Sequence, residues 1–236
     1  MVTNRPYIKK GDKMAERILI VEDDADINNL LKNFLEEANF HVTQAFSGSE
    51  ASFLKSDDFD LLIMDLMLPG KTGEELIKEV RKKTSVPILV ISGKSAIDDK
   101  LEVFDLGADD YMVKPFEKRE LLARVKVLLK RKEAAKDSGN LEHRLLSVNP
   151  RTMEVMAGDE LLNLTQTEYL ILIEMMKEPD VVFSRDKLYE KVWGLDYLES
   201  DNAITVHISH LRQKLRKATG EDLISTVWGV GYKFNS

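Results

Sequence analysis

Four short apolar runs, each followed at once by polar residues, constrain the fold of this chain more than any other feature. Apolar runs of this length, separated by helical patterns, are typical of buried strands in a parallel sheet. Ligands bind beyond the carboxyl ends of such strands. The sequence therefore predicts that carboxylates, a hydroxyl and an ammonium converge on one site for a divalent cation and a phosphoryl group. The runs and the residues after them are 17–21 with Glu22-Asp23-Asp24, 61–64 with Asp65, 87–91 with Ser92, and 110–113 with Lys114-Pro115.

Length and composition limit the class of protein. A chain of 236 residues, 43% of them hydrophobic, can bury a core large enough for two domains. The absence of cysteine excludes disulfides and thiolate metal sites. No apolar stretch approaches the roughly 20 residues that span a bilayer, so we expect no membrane association and a soluble, cytoplasmic protein. The net charge of −7 argues against non-specific coating of nucleic acid but allows a local basic patch.

The periodicity divides the chain into two folded parts. Residues 15–132 alternate strand and helix, which predicts an α/β flavodoxin-like (βα)5 domain. Residues 142–236 predict a smaller α+β winged helix-turn-helix domain, with 133–141 as the linker and 1–14 as a disordered extension. The expected elements are a strand at 41–45, helices at 26–40, 47–55, 72–83, 95–106, 117–131, 165–177, 184–192 and 201–217, an antiparallel sheet in 145–164, and a hairpin at 224–234.

The strand-end residues suit phosphoryl transfer. Asp23 and Asp65 would supply carboxylates to Mg²⁺ or Mn²⁺, with Glu22 acting through water. Asp65 could also attack a phosphoryl donor and form an acyl phosphate. Such transfer needs mainly positioning and charge neutralisation, which the metal, Lys114 and the Ser92 hydroxyl would provide. Any one of these residues could be an ordinary surface residue, but their combination on the appropriate strands favours a shared site.

Three motifs resemble those of the receiver domain of bacterial two-component response regulators, namely 18–24, 60–70 and 107–116. Residues 145–234 resemble the DNA-binding domain of the OmpR/PhoB class. The resemblance implies that a sensor histidine kinase donates a phosphoryl group to Asp65 and that magnesium is required. It also implies a metal ligand from the backbone carbonyl of Met67 and a cis peptide between Lys114 and Pro115.

The same resemblance assigns switch residues and a dimer face. Ser92 and Tyr111 occupy the positions that move on phosphorylation, although Tyr111 could equally be an ordinary core aromatic. Gly93 follows Ser92 where alanine is usual, so we expect a looser loop there. Activated receivers of this class form homodimers through the fourth helix, fifth strand and fifth helix. The matching charged residues, which we expect on one surface of mixed sign, are Lys100, Asp109, Asp110, Glu120, Arg124 and Arg131.

The basic residues of the second part are concentrated in one predicted helix. Residues 141–236 hold fifteen acidic and eleven basic residues, yet no acid occurs from 202 to 220. The pattern buries Ile204, Ile208 and Leu211 and leaves polar residues outward or sideways, as in a recognition helix in the major groove. A solvated helix with a basic end is the alternative. The predicted DNA-binding residues, the last two in the hairpin, are Asn202, Thr205, His207, Ser209, His210, Arg212, Lys214, Trp228 and Tyr232.

The expected DNA partner is a duplex with direct-repeat promoter sites, bound by the phosphorylated homodimer, and contact with RNA polymerase is left open. Trp193 and Trp228 are expected to serve partly in packing. The four histidines suggest no zinc site, since only His207 and His210 lie close in sequence.

Two other functions compete with this interpretation. Phosphatases of the haloacid dehalogenase kind also use a strand-end aspartate, but they carry a second aspartate two residues later as acid/base. Here that position is Met67, so we expect no turnover enzyme. A constitutive DNA-binding protein that is never phosphorylated is the third possibility, and the intact set of acids argues against it.

Overall fold

A computed structural model describes residues 15–94, 96–134, 140–143, 145–150, 152–194 and 203–236, without the side chains of 97, 98 and 130–134. The predicted extension at 1–14 and most of the predicted linker lie outside these ranges. Within them, no helix is both long and apolar enough to cross a membrane.

The first part of the chain is a five-stranded parallel sheet with helices between its strands, in the order β2-β1-β3-β4-β5. This is the predicted flavodoxin-like arrangement. The strands are β1 (Arg17–Val21), β2 (His41–Ala45), β3 (Leu61–Met64), β4 (Ile88–Ser92) and β5 (Asp110–Val113). The helices are α1 (Ala25–Glu37), α2 (Gly48–Phe53), α3 (Gly73–Arg81), α4 (Ile97–Asp105) and α5 (Lys118–Ala134), with a short 3-10 turn at Ser56–Asp58.

The central strands are buried on both faces, which explains their continuous apolar runs. Ile18, Ile20 and Ile63 point to one side, where they pack with residues of α1 and α5. Leu19 and Leu62 point to the other side and join the core beneath α3 and α4. Because successive strand residues face opposite ways, both sides of these strands need apolar side chains, and residues 18–21, 61–64 and 88–91 are all apolar and buried.

The second part combines two small antiparallel sheets with three helices, as predicted for a winged helix-turn-helix domain. One sheet has the order β6-β7-β8-β9 and the other the order β10-β12-β11. Their strands are β6 (Leu141–His143), β7 (Leu146–Asn149), β8 (Glu154–Ala157), β9 (Glu160–Leu161), β10 (Val182–Phe183), β11 (Ile224–Val227) and β12 (Gly231–Phe234). The helices are α6 (Gln166–Lys177), α7 (Arg185–Trp193) and α8 (Ala203–Thr219).

Side-chain caps set several of the helix starts. Thr72 and Thr165 each form a capping box with the glutamate three residues later, which fixes the first residues of α3 and α6. Ser184 accepts a hydrogen bond from the Lys187 amide and caps α7. The predicted helix starts at 72, 165 and 184 are therefore the capping residues themselves.

Two expectations about the fold are wrong in detail. The first helix was expected to reach residue 40, but α1 ends at Glu37 because Asn39 adopts a positive φ of 64° and turns the chain towards β2. The apolar spacing of the first helix also predicts that Leu30 is buried, but its side chain is 43% exposed, whereas Asn28 is buried. The buried side of α1 therefore includes the polar side chain of Asn28, and Leu30 lies towards solvent.

Candidate functional site

Three carboxylates converge at the carboxyl edge of the parallel sheet, as the strand ends predicted. Glu22 and Asp23 follow β1, and Asp65 follows β3, the neighbouring strand. One oxygen from each lies within 4.8 Å of the others. Glu22 and Asp65 are buried, while Asp23 is exposed and open to a ligand from solvent. An all-oxygen set with one open side fits Mg²⁺ or Mn²⁺, since these ions prefer oxygen ligands and retain waters.

The neighbouring Asp24 is engaged in a different task. Its side chain accepts hydrogen bonds from the backbone amides of Asp26 (2.9 Å) and Ile27 (3.0 Å) and so caps α1. An acid at this position also favours the helix dipole. The run of three acids after β1 therefore divides into two site residues, Glu22 and Asp23, and one capping residue.

Asn28 holds the loop that carries these acids, and the sequence analysis missed it. Its amide nitrogen donates to the carbonyl of Glu22 (2.7 Å) and to the carbonyl of Ala45 (3.1 Å), across β1 and β2. The side chain is completely buried. The signal was present, since Asn28 is a polar residue one turn before Leu31 on the buried side of α1. Such a residue must have buried partners.

The carboxylate of Asp65 is held from two directions. Its Oδ1 accepts from the backbone amides of Leu66 (2.6 Å) and Met67 (3.2 Å). Its Oδ2 accepts from Nζ of Lys114 (2.6 Å). Gly73 permits this geometry, because a Cβ there would lie 2.4 Å from the carbonyl oxygen of Asp65. The Met67 side chain is exposed, and it provides no acid or base beside Asp65.

Lys114 joins the two buried carboxylates. It stands after β5, next to Pro115, and the peptide between them is cis, as the resemblance implied. Its Nζ donates to Asp65 and also to Oε2 of Glu22 (2.7 Å). Burial acts to lower the pKa of Lys114, but these hydrogen bonds raise it above the ordinary lysine value. Burial raises the pKa of Glu22, and the ammonium opposes that shift.

The two proposed switch residues lie beside this cluster. Ser92 ends β4 and is completely buried, and its Oγ accepts a long hydrogen bond from the Lys94 amide (3.4 Å). The Tyr111 hydroxyl donates to the carbonyl of Lys94 (2.7 Å), and burial raises the pKa of this tyrosine. Both residues therefore contact the loop between β4 and α4. Lys100 lies over the tyrosine ring, 5.9 Å from its centre.

Three of the six predicted dimer residues are buried in this single-chain arrangement, and their role in a dimer stays a prediction. Asp110 and Arg124 are buried and pair with each other at 3.0 Å. Arg124 also binds Glu120 at 2.6 Å, one turn earlier on α5. Asp109 is buried and pairs with Arg81 at 2.7 Å. The side chain of Arg131 lies outside the described part of the chain.

The helix α8 buries the residues that its periodicity predicted. Ile204, Ile208 and Leu211 are buried, and Thr205 and Ser209 are exposed. Asn202 lies outside the described residues.

Two residues of α8 depart from the expected outward position. His207 is buried, with its ring centre 5.2 Å from that of Phe104 in α4 and 6.1 Å from that of Trp193. His210 is only partly exposed, because its Nε2 lies 3.2 Å from Oδ1 of Asp105. Helical spacing could not reveal the contacts with Phe104 and Asp105, since these two residues belong to the other domain.

The basic residues at the end of α8 are tied to neighbouring elements. Arg212 donates to the carbonyl of Ile224 (2.8 Å) and to the Thr226 hydroxyl (2.8 Å), both on β11. Lys214 binds Glu168 at 2.6 Å.

In the hairpin, the two aromatic residues differ in exposure. Tyr232 is buried and its hydroxyl donates to Thr205 (3.3 Å), so it packs under α8. Trp228 was expected to pack in part, but it is 91% exposed at the tip between β11 and β12. Trp193 is buried, as expected.

Comparisons with known proteins agree with this geometry. The model of the response regulator receiver domain matches residues 18–126, and that of the C-terminal domain of transcriptional regulatory proteins matches residues 158–234. The transcriptional regulatory protein SrrA of Staphylococcus aureus is 36% identical over 233 residues, covering 94% of this chain and 96% of the relative.

Two solved structures share the architecture along 94% of this chain and all of theirs. A mutant of RitR has a TM-score of 0.76 at 25% identity. DrrB, described as a Thermotoga maritima OmpR/PhoB homolog, has a TM-score of 0.50 at 27% identity. A receiver domain implies a sensor kinase as partner, and the C-terminal domain implies binding to DNA. The chain belongs to the OmpR/PhoB family of response regulators, and it is a transcriptional regulator rather than a turnover enzyme.

Proposed function

We propose that this regulator is switched by phosphorylation of Asp65, with a sensor histidine kinase as donor. The observation that carries the proposal is the bridge from Lys114 to both Asp65 and Glu22, beside the exposed carboxylate of Asp23. The Lys114 ammonium lies against Asp65, the proposed phosphoryl acceptor. The three carboxylates can still bind a divalent metal ion. Neutralised and oriented carboxylates are what phosphoryl transfer to an aspartate requires.

The transfer forms one bond and breaks another. An oxygen of Asp65 attacks the phosphorus of the phosphohistidine, the P–N bond breaks, and the freed imidazole nitrogen takes up a proton from solvent. The amides of Leu66 and Met67 hold the other oxygen of Asp65 and fix the direction of attack. Lys114 exchanges part of its contact with Asp65 for an oxygen of the phosphoryl group, and the Ser92 hydroxyl binds another.

A magnesium or manganese ion would be held by Asp23 and Asp65, by the backbone carbonyl of Met67, and through water by Glu22. It would neutralise charge on the incoming phosphoryl group. The donor set of the site is suited to this role, because the carboxylates are oxygen ligands and one of them faces solvent.

Phosphorylation would then pair two receivers and so place two DNA-binding domains on one promoter. Linking two modules makes the second contact intramolecular, with a gain of roughly 10²–10⁴ in avidity. The two half-sites would be direct repeats about 10–11 base pairs apart, one turn of the duplex. Thr205, Ser209 and the exposed Trp228 are the described residues best placed to contact DNA.

Intact-mass measurement with acetyl phosphate and magnesium tests the acceptor. We expect one phosphate on the wild type and none on Asp65→Asn. The matched control is Asp60→Asn, the same change at the residue just before β3, where the side chain accepts from the Arg17 amide. Undiminished labelling of Asp65→Asn would refute the assignment, and repeated turnover of the donor would favour the phosphatase alternative.

A further inference from the structure

The hairpin that follows α8 ends in an exposed apolar tip. A three-residue loop joins the paired residues Val227 and Gly231, and the amide of Val230 donates to the carbonyl of Val227 (2.9 Å). Trp228 and Val230 are 91% and 55% exposed in this loop. Gly229 lies between them and turns the chain with a positive φ of 73°. A closed turn therefore presents an indole and a branched aliphatic side chain to solvent.

The base of this hairpin is tied to α8. Arg212 of α8 donates to the carbonyl of Ile224 and to the hydroxyl of Thr226. Its guanidinium also lies over the ring of Tyr232, 5.3 Å from the ring centre. The Tyr232 hydroxyl donates to Thr205, which is exposed on α8. The tip is therefore continuous with the exposed polar side of α8, and it reaches the duplex when α8 does.

The tip carries no charge, which limits how it can bind DNA. Residues 223–232 include no acidic or basic residue, so the tip has no ammonium or guanidinium for a phosphate. Phosphate contacts made by cations are the salt-dependent part of DNA affinity. The apolar surfaces of a duplex are the thymine methyl groups in the major groove and the faces of the bases, which become accessible where a base step opens. An indole can stack on such a face.

The position of the tip favours the minor groove. Because α8 is expected to occupy the major groove, the hairpin beside it reaches the adjacent minor groove. In proteins that bind there, apolar side chains enter a base step and partly unstack it. The turn that carries Trp228 is already closed by its own hydrogen bond, so it loses little conformational freedom on binding.

We propose that Trp228 is an apolar wedge, which enters the minor groove beside each half-site, stacks on a base and kinks the duplex. The proposal deepens the proposed function: it rests on DNA binding by this domain and not on phosphorylation of Asp65. Inserted side chains of this kind kink DNA by roughly 20–90°. Pyrimidine–purine steps such as TA and CA open most easily, so the wedge selects such a step without a polar contact to its bases.

DNA bending tests the wedge directly. Full-length protein is added to saturation to a duplex obtained by selection, and energy transfer between dyes at the two ends reports the kink. The wild type should shorten the end-to-end distance. Trp228→Ala should leave the duplex nearly straight and lower the affinity about tenfold, whereas Trp228→Phe, which keeps an aromatic ring, should retain most of the kink.

Phe53→Ala is the matched control. It removes an aromatic side chain that is 88% exposed on α2, in the receiver domain, and it should change neither the kink nor the affinity. Circular dichroism verifies that each variant is folded. Because phosphodonor is omitted, a failure of the proposed switch at Asp65 leaves all these measurements unchanged.

Salt dependence separates stacking from a phosphate contact. Trp228→Ala should lower the affinity by the same factor at every salt concentration. Trp228→Arg should instead steepen the plot of log affinity against log salt by about 0.9, the value of one added phosphate contact. Acrylamide quenching gives a further readout, since Trp193 is buried and Trp228 supplies the accessible fluorescence. DNA should protect Trp228 from acrylamide.

The wedge is overturned if wild type and Trp228→Ala kink the duplex equally, or if DNA leaves the quenching of Trp228 unchanged. A shallower salt dependence in Trp228→Ala would also overturn it, because the tip would then act through phosphates. Unchanged DNA affinity and an unchanged kink in this variant would assign the exposed tip to a protein partner instead.

Discussion

Replacing Lys114 by methionine should destabilise the receiver domain strongly and in a metal-dependent way. Nζ of Lys114 is within 2.7 Å of Glu22 and 2.6 Å of Asp65, and both carboxylates are buried. Removing the ammonium leaves two adjacent buried acids without a counter-charge. Breaking a buried ion pair costs about 3–5 kcal/mol. Since the lysine side chain is 18% exposed and water can reach the acids, we expect about 3 kcal/mol.

Magnesium should restore much of this loss. A ligand that binds only the folded state at 100 times its Kd adds about 2.7 kcal/mol, and the ion supplies the missing positive charge. Lower pH should also help, because the folded-state pKa of Glu22 is already raised by burial. A group whose pKa is higher in the folded than in the unfolded state stabilises the fold at pH values below its unfolded-state pKa. This contribution is lost as the pH rises through its folded-state pKa. The stability of Lys114→Met should thus increase on acidification from pH 7 towards 5.

The assay is urea unfolding followed by far-ultraviolet circular dichroism at pH 7 in the presence of chelator, then with magnesium. Intrinsic fluorescence is unsuitable because both tryptophans, Trp193 and Trp228, lie in the other domain. Lys118→Met is the matched control. Its exposed pair with Glu37 should contribute less than about 1 kcal/mol. Equal stabilities of the two variants without magnesium would refute the reasoning.

Three further predictions follow from single contacts. Asp23→Asn should weaken magnesium binding by calorimetry more than Asp24→Asn, since Asp24 caps α1, and equal affinities would exclude this assignment. Arg124→Glu should unfold the receiver more readily than Arg124→Leu, because it adds a buried acid beside Asp110; thermal unfolding measures the order, and the reverse order would contradict it. Trp228→Ala should leave the melting temperature unchanged, because the ring is exposed, while lowering DNA affinity about tenfold by anisotropy, and unaltered affinity would remove Trp228 from the interface.

The strand-end site was predictable from the sequence because its determinants are local. An apolar run fixes a buried strand, and the parallel order brings residues after different strands to one edge. Glu22, Asp65 and Lys114 therefore meet although Lys114 is 92 residues from Glu22. The burial of Asn28 was not predicted, because the helical pattern of α1 was derived from its apolar residues alone.

The contacts between the domains could not be derived in this way. Periodicity identifies the face of α8 that packs in its own domain. It gives no information about a surface of the receiver domain that packs against α8. The burial of His207 against Phe104 is of this kind. The ion pair between Arg124 and Asp110, both in the receiver, could not be derived either. The sequence shows complementary charges, but it does not show whether they pair within one receiver or between two.

The most direct test of the central claim is DNA affinity measured with and without phosphorylation on a tandem site obtained by selection. For the wild type, acetyl phosphate with magnesium should raise the affinity for two direct repeats about 10–11 base pairs apart by roughly 10²-fold or more. Asp65→Asn should keep the low affinity under both conditions, while Asp60→Asn should respond like the wild type. The claim that Asp65 controls DNA binding would be contradicted if acetyl phosphate still raised the DNA affinity of Asp65→Asn. It would also be contradicted if acetyl phosphate left the DNA affinity of the wild type unchanged.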